Sequence, residues 1–233
     1  MRSINCFGKL ILLMFGLFLF SIGILLTIHS QLGAAPWDTF QIGLVNHTGL
    51  TLGQVSQIVG ATIILVNIVM KEVPGWATIL NMYFIGYFID LIEGFWLIPT
   101  ARGLLGKIVM LMAGIIIMSW GTYFYINTGW GAGPRDGLML GLSRRLSINV
   151  GKARTVIEIS VAAAGFALGA KPGIGTILFA LLIGPAVQIT YRLGGKDPKT
   201  VKHRTLVDDY NALVSLRKRP ASVEKTLRIS EDS

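Results

Sequence analysis

Charged residues are scarce in this sequence, because Asp, Glu, Lys and Arg together make up 14% of its 233 residues. Soluble domains carry about a quarter, and so few charges cannot cover the surface of a water-soluble domain of this length. Cysteine is nearly absent as well. Cys6 is the only one, which excludes an intrachain disulfide.

The sequence also lacks the usual signatures of catalytic and cofactor sites. Its histidines and its single cysteine show no metal-ligand spacing. No glycine-rich phosphate loop ending in lysine is present, and no nucleophile stands at a recognisable spacing from a general base. We therefore expect no metal, no cofactor and no enzyme activity.

Long hydrophobic runs are the most prominent feature that is present. Hydrophobic residues make up 52% of the chain, and the mean hydropathy is +0.63. Runs long enough to cross a bilayer are Leu10–Ile28, Gly53–Met70, Trp76–Leu97, Ile108–Ile126, Gly151–Gly169 and Ile174–Tyr191. The sequence therefore predicts an all-α integral membrane protein with about six transmembrane helices, for which the lipid bilayer is a partner.

The net charge of +9 is unevenly distributed. Ten of the 21 Lys and Arg residues follow Tyr191, and the others lie in short loops and at helix ends. This distribution is typical of a membrane protein with basic cytoplasmic segments rather than of a nucleic-acid groove, so we expect no nucleic-acid partner. We predict a transmembrane domain over residues 1–195 and a basic cytoplasmic tail over residues 196–233.

The tail contains one segment with helical periodicity. Its apolar positions fall on one side of a predicted helix, beside Arg217, and they are Leu206, Val207, Tyr210, Leu213 and Val214. Two interpretations stay open: such a segment lies on an anionic membrane surface, or the tail is disordered.

The second half of the chain repeats the first at an offset of 98 residues. Leu32–Asp38 aligns with Trp130–Asp136, and about 22 of 83 gap-free aligned pairs are identical. Because the matches include Gly, Pro and Asp in register, shared hydrophobicity does not explain them. We predict two repeats, over about residues 8–97 and 106–195.

The two repeats are predicted to insert in opposite orientations. Each contains three crossings, so the second copy enters the membrane from the other side. The connection over residues 29–52 has no Lys or Arg, whereas its counterpart over residues 127–150 has three arginines. The positive-inside rule places the first connection outside, and the second, with both termini, in the cytoplasm. Three basic residues fall outside and argue against this arrangement: Arg102, Lys107 and Lys171.

A Pro-x-Asp element occurs once in each repeat and supplies the first candidate binding residues. Pro36 and Asp38 correspond to Pro134 and Asp136, and Gly133 precedes the second proline. Proline suits the first turn of a helix, where a carboxylate interacts favourably with the helix dipole and free amides. Each element predicts a helix too short to span a bilayer. It either lies flat at the interface or is re-entrant, and a re-entrant tip offers backbone groups to a substrate or ion.

Ionisable residues inside the predicted crossings are the remaining candidates. Glu158 lies about seven residues into the fifth run, where a carboxylate is costly. It either couples transport to a proton or cation, or forms a structural ion pair with Arg154 one turn earlier. Asp90 and Glu93 share a helix face near the end of the third crossing and are secondary candidates.

Three sequence elements resemble those of a known family. They are Gly131–Gly137 (Gly-x-Gly-Pro-x-Asp-Gly), Gly141–Ser143 and Pro172–Thr176. They look like elements of the YczE/YitT-like bacterial multi-pass membrane proteins, and the resemblance covers residues 8 to about 193. The first repeat departs from the pattern with Ala35 and Ala77, where the second repeat has glycine. The resemblance implies a bacterial plasma-membrane protein and no particular chemistry.

Two functions are compatible with these features. The first is a small-solute transporter or permease with its site at the interface between the repeats, where inverted repeats commonly bind. The alternative is a non-transporting membrane scaffold or regulator that holds a partner protein through the basic tail. The short helices that begin at the Pro-x-Asp elements are called half-helices here, and their starts are called tips. Tips that face each other across a cavity would favour the transporter, and tips at opposite membrane interfaces would favour the scaffold.

Overall fold

The computed structural model describes residues 5–196, 201 and 203–217, and these described residues form nine helices and no strand. The helices are α1 (Cys6–His29), α2 (Pro36–Thr48), α3 (Leu52–Val69), α4 (Trp76–Gly94), α5 (Gly103–Ile126), α6 (Pro134–Leu146), α7 (Val150–Ala167), α8 (Ile174–Leu193) and α9 (Leu206–Arg217). The predicted all-helical fold is therefore confirmed over the part of the chain that is described.

Every hydrophobic run of the sequence forms a helix. Four of these helices, α1, α3, α5 and α8, are long and apolar enough to cross a membrane. The other two carry charge within their length: α4 contains Asp90 and Glu93, and α7 contains Lys152, Arg154 and Glu158. Four crossings are thus supported by length and composition, while crossings by α4 and α7 stay a prediction.

The helix boundaries follow the 98-residue offset of the sequence repeat. Helix α2 begins at Pro36 and α6 at Pro134, and both are 13 residues long. Helices α3 and α7 each contain 18 residues and also start 98 positions apart. The four helices α1–α4 therefore correspond in order to α5–α8.

Helices α1 and α5 pack against each other through pairs of glycines. A Cβ atom on Gly16 would lie 2.9 Å from the carbonyl oxygen of Gly121, and one on Gly23 would lie 2.8 Å from that of Gly114. The order of contacts is reversed along the two helices, so α1 and α5 run antiparallel. Small residues here let the two backbones touch, as is common between helices in membranes.

The buried apolar side chains form two separate cores. The first lies among α1, α4, α5 and α8, with Leu17, Ile89 and Ile115 at its centre, and these helices are called the first bundle here. The second lies among α2, α3, α6 and α7, with Val59 and Met139, and these helices are called the second bundle. The half-helices α2 and α6 therefore belong to the same bundle.

The two bundles meet closely on one side and loosely on the other. Helix α3 packs along α4, where Gly86 lies against the backbone of Gly53 and a Cβ on Gly60 would lie 2.8 Å from Cγ of Met82. Their counterparts α7 and α8 are barely in contact, and a Cβ on Gly184 would meet nothing within 4 Å. The space between α7 and α8 is an asymmetry that the repeat does not predict.

The tail docks on the bundles through its backbone. The amide of Arg204 donates to the carbonyl of Gly129 (2.9 Å), and the amide of Leu206 donates to the carbonyl of Pro74 (3.1 Å). Thr205 caps α9, and hydrogen bonds from its amide and hydroxyl lower the pKa of Asp208. The predicted helical segment is present, whereas its contact with a membrane surface stays a prediction. The part of the predicted basic tail over residues 218–233 lies outside the described residues.

Candidate functional site

Both short helices begin inside the protein and end at its surface. Pro36 and Asp38 at the start of α2 are buried, whereas the helix ends in exposed residues at Gly49, which has a positive φ of 65°. In the second repeat Pro134 is buried and α6 ends at the exposed residue Leu146. The Pro-x-Asp elements thus form helices directed from the interior outward, rather than helices buried evenly along their length.

The segments that lead into the two half-helices are held by helices of the opposite repeat. The amide of Ala77 in α4 donates to the carbonyl of Trp130 (2.9 Å), and the equivalent amide of Gly175 in α8 donates to the carbonyl of Leu32 (2.8 Å). Gly33 and Gly131 turn the chain at these contacts with φ of 118° and 127°, values that favour glycine. Each repeat therefore positions the half-helix of the other.

Side chains fix the tip of α6 in addition. The hydroxyl of Thr78 donates to the carbonyl of Ala132 (2.6 Å), and the side-chain amide of Asn67 donates to the carbonyl of Pro134 (2.8 Å). The first bond satisfies a carbonyl that lies before the helix, and the second adds a donor to the carbonyl of the first residue of α6. The tip of α6 is consequently attached to both bundles.

The two tips face a single cavity of about 380 Å³ between the bundles. Five of the six first-rank candidate residues line this cavity: Pro36, Gly133, Pro134, Asp136 and Glu158. The sixth, Asp38, lies behind Arg135, whose guanidinium is 3.6 Å from the carboxylate. The structure therefore brings together residues that are far apart in the sequence.

The secondary candidates lie elsewhere and have structural partners. Asp90 caps the start of α3, where it accepts a hydrogen bond from the amide of Gly53 (2.8 Å) and one from the hydroxyl of Thr51 (2.6 Å). Glu93 pairs with His29 at 2.7 Å. Neither residue lines the cavity, so neither is placed to contact a ligand there.

Charged groups alternate across the cavity wall. Arg135 lies between Asp38 and the ring of Trp37, with its guanidinium 5.1 Å from the ring centroid. Arg154 and Glu158 form an ion pair at 2.8 Å, as the spacing of four residues on α7 predicts. The pair is half-buried and its members line the cavity, so a structural role and contact with a ligand are compatible.

Asp136 is held by its own helix start. Its carboxylate accepts a hydrogen bond from the amide of Gly133 (3.2 Å) and lies 3.5 Å from the hydroxyl of Tyr125. The bond from Gly133 is the half of a capping box in which the side chain of the third helical residue accepts from the amide of the N-cap residue. Asp136 therefore keeps an oxygen at the cavity while it stabilises the first turn of α6.

Several buried polar atoms on α2 have no hydrogen-bond partner among the described residues. They are Nε1 of Trp37, both carboxylate oxygens of Asp38 and Oε1 of Gln41. The side chains of Trp37, Asp38 and Gln41 are 6%, 0% and 2% exposed. Burial without a partner costs about 1–3 kcal/mol for each such group. Other atoms of Trp37 and Gln41 line the cavity, so these polar atoms lie just behind its wall.

Sequence reasoning missed Trp37, Gln41, Tyr125 and Arg135. The usable signal was a departure from the repeat, because Trp37 and Arg135 occupy equivalent positions and differ in chemistry. Glu158 is also a departure from the repeat, because its counterpart in the first half is Gly60. Among the described residues, no group of three or more His, Cys, Asp or Glu side chains is placed to hold a metal ion.

Comparison with known proteins identifies the family. A family of unknown function (DUF6198) matches residues 7–192. The uncharacterized membrane protein YczE of Bacillus subtilis (strain 168) is 36% identical over 171 residues, which are 72% of this chain and 79% of that protein. An uncharacterized protein of Haemophilus influenzae is 36% identical over 177 residues, 76% of this chain and 80% of the relative.

A second B. subtilis protein, the uncharacterized protein YyaS, is 26% identical over 180 residues, 75% of this chain and 88% of the relative. No solved structure matches the chain. These matches confirm the resemblance to YczE-like proteins that the sequence elements indicated, and the apolar helices agree with the name of YczE. The chain therefore belongs to the DUF6198 family and is a YczE-like membrane protein.

Proposed function

We propose that this protein is a small-solute transporter of the bacterial plasma membrane, with its binding site in the cavity between the two bundles. One observation carries the proposal: the starts of both half-helices converge on one cavity between the bundles, which is lined by Arg135, Asp136, Arg154 and Glu158. Broken helices that meet between two repeats are a common way in which transporters build a solute site. A protein that served only as a scaffold would have no need of charged side chains around an internal cavity.

The proposal includes six crossings arranged as two inverted repeats, with both termini in the cytoplasm. The antiparallel packing of α1 on α5 and the reciprocal bonds between the repeats support this arrangement. Helix α7 would cross with Glu158 facing the cavity and Arg154 as its partner, so these two charges would not meet lipid. Lys152 would lie at the start of the helix, near the membrane interface. Helix α4 would cross with Asp90 and Glu93 near its outer end.

Labelling of two equivalent positions tests this topology. His47 and Arg145 are 98 residues apart and exposed near the ends of α2 and α6. In a Cys6→Ser background, His47→Cys should react with a membrane-impermeant maleimide in intact cells, because its segment lies outside. Arg145→Cys should react only after the cells are permeabilised. Reaction of both positions in intact cells would rule out the inverted arrangement.

The asymmetry between the bundles suggests how access alternates. The bundles are joined along α3 and α4 and through the segments that lead into α2 and α6, while α7 and α8 stand apart next to the cavity. Rotation of one bundle about these contacts would close the gap between α7 and α8 and open the cavity elsewhere. Rigid-body movement of one bundle against another is a common transport mechanism.

Flux in proteoliposomes tests the transport proposal directly. Wild type should move at least one member of a broad panel of labelled small solutes faster than empty vesicles do. Glu158→Gln and Asp136→Asn should each lower that flux by about tenfold or more, because each removes a charge from the cavity wall. Glu72→Gln is the matched control, since Glu72 pairs with the exposed Arg144 away from the cavity.

The scaffold alternative has one observation in its favour. Helix α9 presents Val207 and Tyr210, which are 47% and 67% exposed, on the docked tail. Equal flux in wild-type and empty vesicles across the panel would contradict transport and leave the scaffold as the better explanation.

A further inference from the structure

We propose that the cavity binds a small organic monocation, such as an alkylated ammonium group. This inference rests on the proposed site between the half-helices and names the chemical class that the site would take.

The first argument is the balance of charge around the cavity. Arg135, Asp136, Arg154 and Glu158 line it, and Asp38 lies directly behind Arg135. The site therefore has three carboxyl groups and two guanidinium groups. When all three carboxyl groups are ionised, one negative charge is in excess. Because a net charge inside a membrane protein is costly, an occupant with one positive charge would balance it.

The second argument is the aromatic character of the wall. The rings that line the cavity belong to α1, α2, α5 and α8 and are Phe20, Trp37, Tyr125 and Phe179. The faces of such rings attract cations, most strongly where water is excluded. Arg135 already covers one face of Trp37, so Phe20, Tyr125 and Phe179 are the rings left for a ligand. The remaining wall is largely aliphatic. An inorganic cation requires a shell of oxygen ligands, whereas a cation that carries alkyl groups matches rings and aliphatic side chains.

The third argument concerns the groups that would otherwise favour an anion. Arg135 faces Asp38 and Arg154 is bonded to Glu158, so the charge of each arginine is offset by a carboxylate of the protein. The amino-terminal ends of α2 and α6 attract negative charge, but each has its own aspartate in the first turn. The positive elements of the site are thus already matched by the protein.

Polar side chains of the wall add orienting contacts. Ser56 and Asn81 line the cavity and can accept a hydrogen bond from an N–H or O–H group of the ligand. A volume of about 380 Å³ is in the range of about 300–1,000 Å³ typical of small-molecule sites.

Calorimetric titration of the purified full chain in detergent, at mildly alkaline pH, tests the inference. The probes are choline and benzyltrimethylammonium as cations, 3,3-dimethylbutan-1-ol as the neutral analogue of choline, and 3,3-dimethylbutanoate as an anion of similar shape. At least one cation should bind about tenfold or more tightly than the neutral analogue, and the anion should not bind. A tenfold difference in affinity is the size of effect that cation–π contacts and one excess negative charge provide.

Two variants locate the binding in the cavity. Glu158→Gln should weaken cation binding by about tenfold, because it removes one of the facing carboxylates. Glu72→Gln, whose ion pair lies outside the cavity, should leave binding unchanged. Equal loss in both variants would show that binding occurs elsewhere and would overturn the inference.

The remaining outcomes separate this inference from transport itself. Equal affinity for the neutral analogue, preference for the anion, or no binding of either cation would overturn the monocation proposal. Flux of an anionic or neutral solute that depends on Glu158 would keep the transporter and reject the cation. Cation binding without flux would keep the site and reject transport.

Discussion

Replacing Gly86 by alanine should lower the stability of the folded protein by about 3 kcal/mol or more, whereas Gly184→Ala should be close to neutral. A Cβ on Gly86 would overlap the carbonyl oxygen of Gly53, and it would also lie 2.6 Å from Cγ of Gln57. The backbone of α3 would have to move away from α4. The same Cβ on Gly184 would meet nothing within 4 Å.

The two glycines are matched because they occupy equivalent positions of the repeat, 98 residues apart. Thermal unfolding of both variants in the same detergent, followed by circular dichroism, measures the difference. Gly184→Ala also controls for helix propensity, which favours alanine by about 1 kcal/mol at both positions. Similar melting temperatures for the two variants would contradict the asymmetry between the α3–α4 and α7–α8 contacts.

Replacing Arg135 by glutamine should destabilise the protein by about 3 kcal/mol. Asp38 is fully buried, and its carboxylate oxygens have no hydrogen-bond partner, so Arg135 is the charge that compensates it. Removing one member of a buried pair leaves the other charge uncompensated, which costs about 3–5 kcal/mol. The same change also removes the guanidinium from the face of Trp37.

Arg144→Gln is the control, since Arg144 pairs with Glu72 at 2.8 Å but its side chain is 70% exposed. Exposed pairs contribute about 0–1 kcal/mol, so this variant should melt close to wild type. The double variant Asp38→Asn, Arg135→Gln should recover most of the lost stability, because no charge is then left alone. If the Arg135→Gln protein has the same melting temperature as wild type, Asp38 carries no charge that needs a partner.

Much of the fold was predictable because membrane proteins impose simple rules on sequence. The hydrophobic runs gave the helices to within a few residues, and the Pro-x-Asp elements marked the starts of α2 and α6. Proline has no amide hydrogen and aspartate interacts with the first turn, so both residues indicate a helix start whatever surrounds them. The glycines at 16, 23, 114 and 121 lie where α1 and α5 pack closely, and glycines spaced in this way are typical of close helix packing in membranes.

The arrangement of the site was harder to predict because it depends on departures from the repeat. Identical residues in the two halves show which positions are equivalent. Trp37 and Arg135 occupy equivalent positions but differ in chemistry, and this difference lets the guanidinium pack on the ring. The separation of α7 from α8 likewise accompanies a departure from the repeat, because Glu158 stands where the first half has Gly60, which packs against Met82 of α4. Docking of the tail was not predictable, since the bonds of Arg204 and Leu206 are made by backbone groups of any sequence.

The reciprocal bonds between Ala77 and Trp130 and between Gly175 and Leu32 have a consequence for biosynthesis. When the ribosome has completed only the first half, the carbonyl of Leu32 and the amide of Ala77 still await partners that have not been translated. Maturation of the amino-terminal half is therefore tied to synthesis of the carboxy-terminal half. A protein consisting of one half alone would satisfy these groups within the bilayer only by pairing with a second molecule of itself.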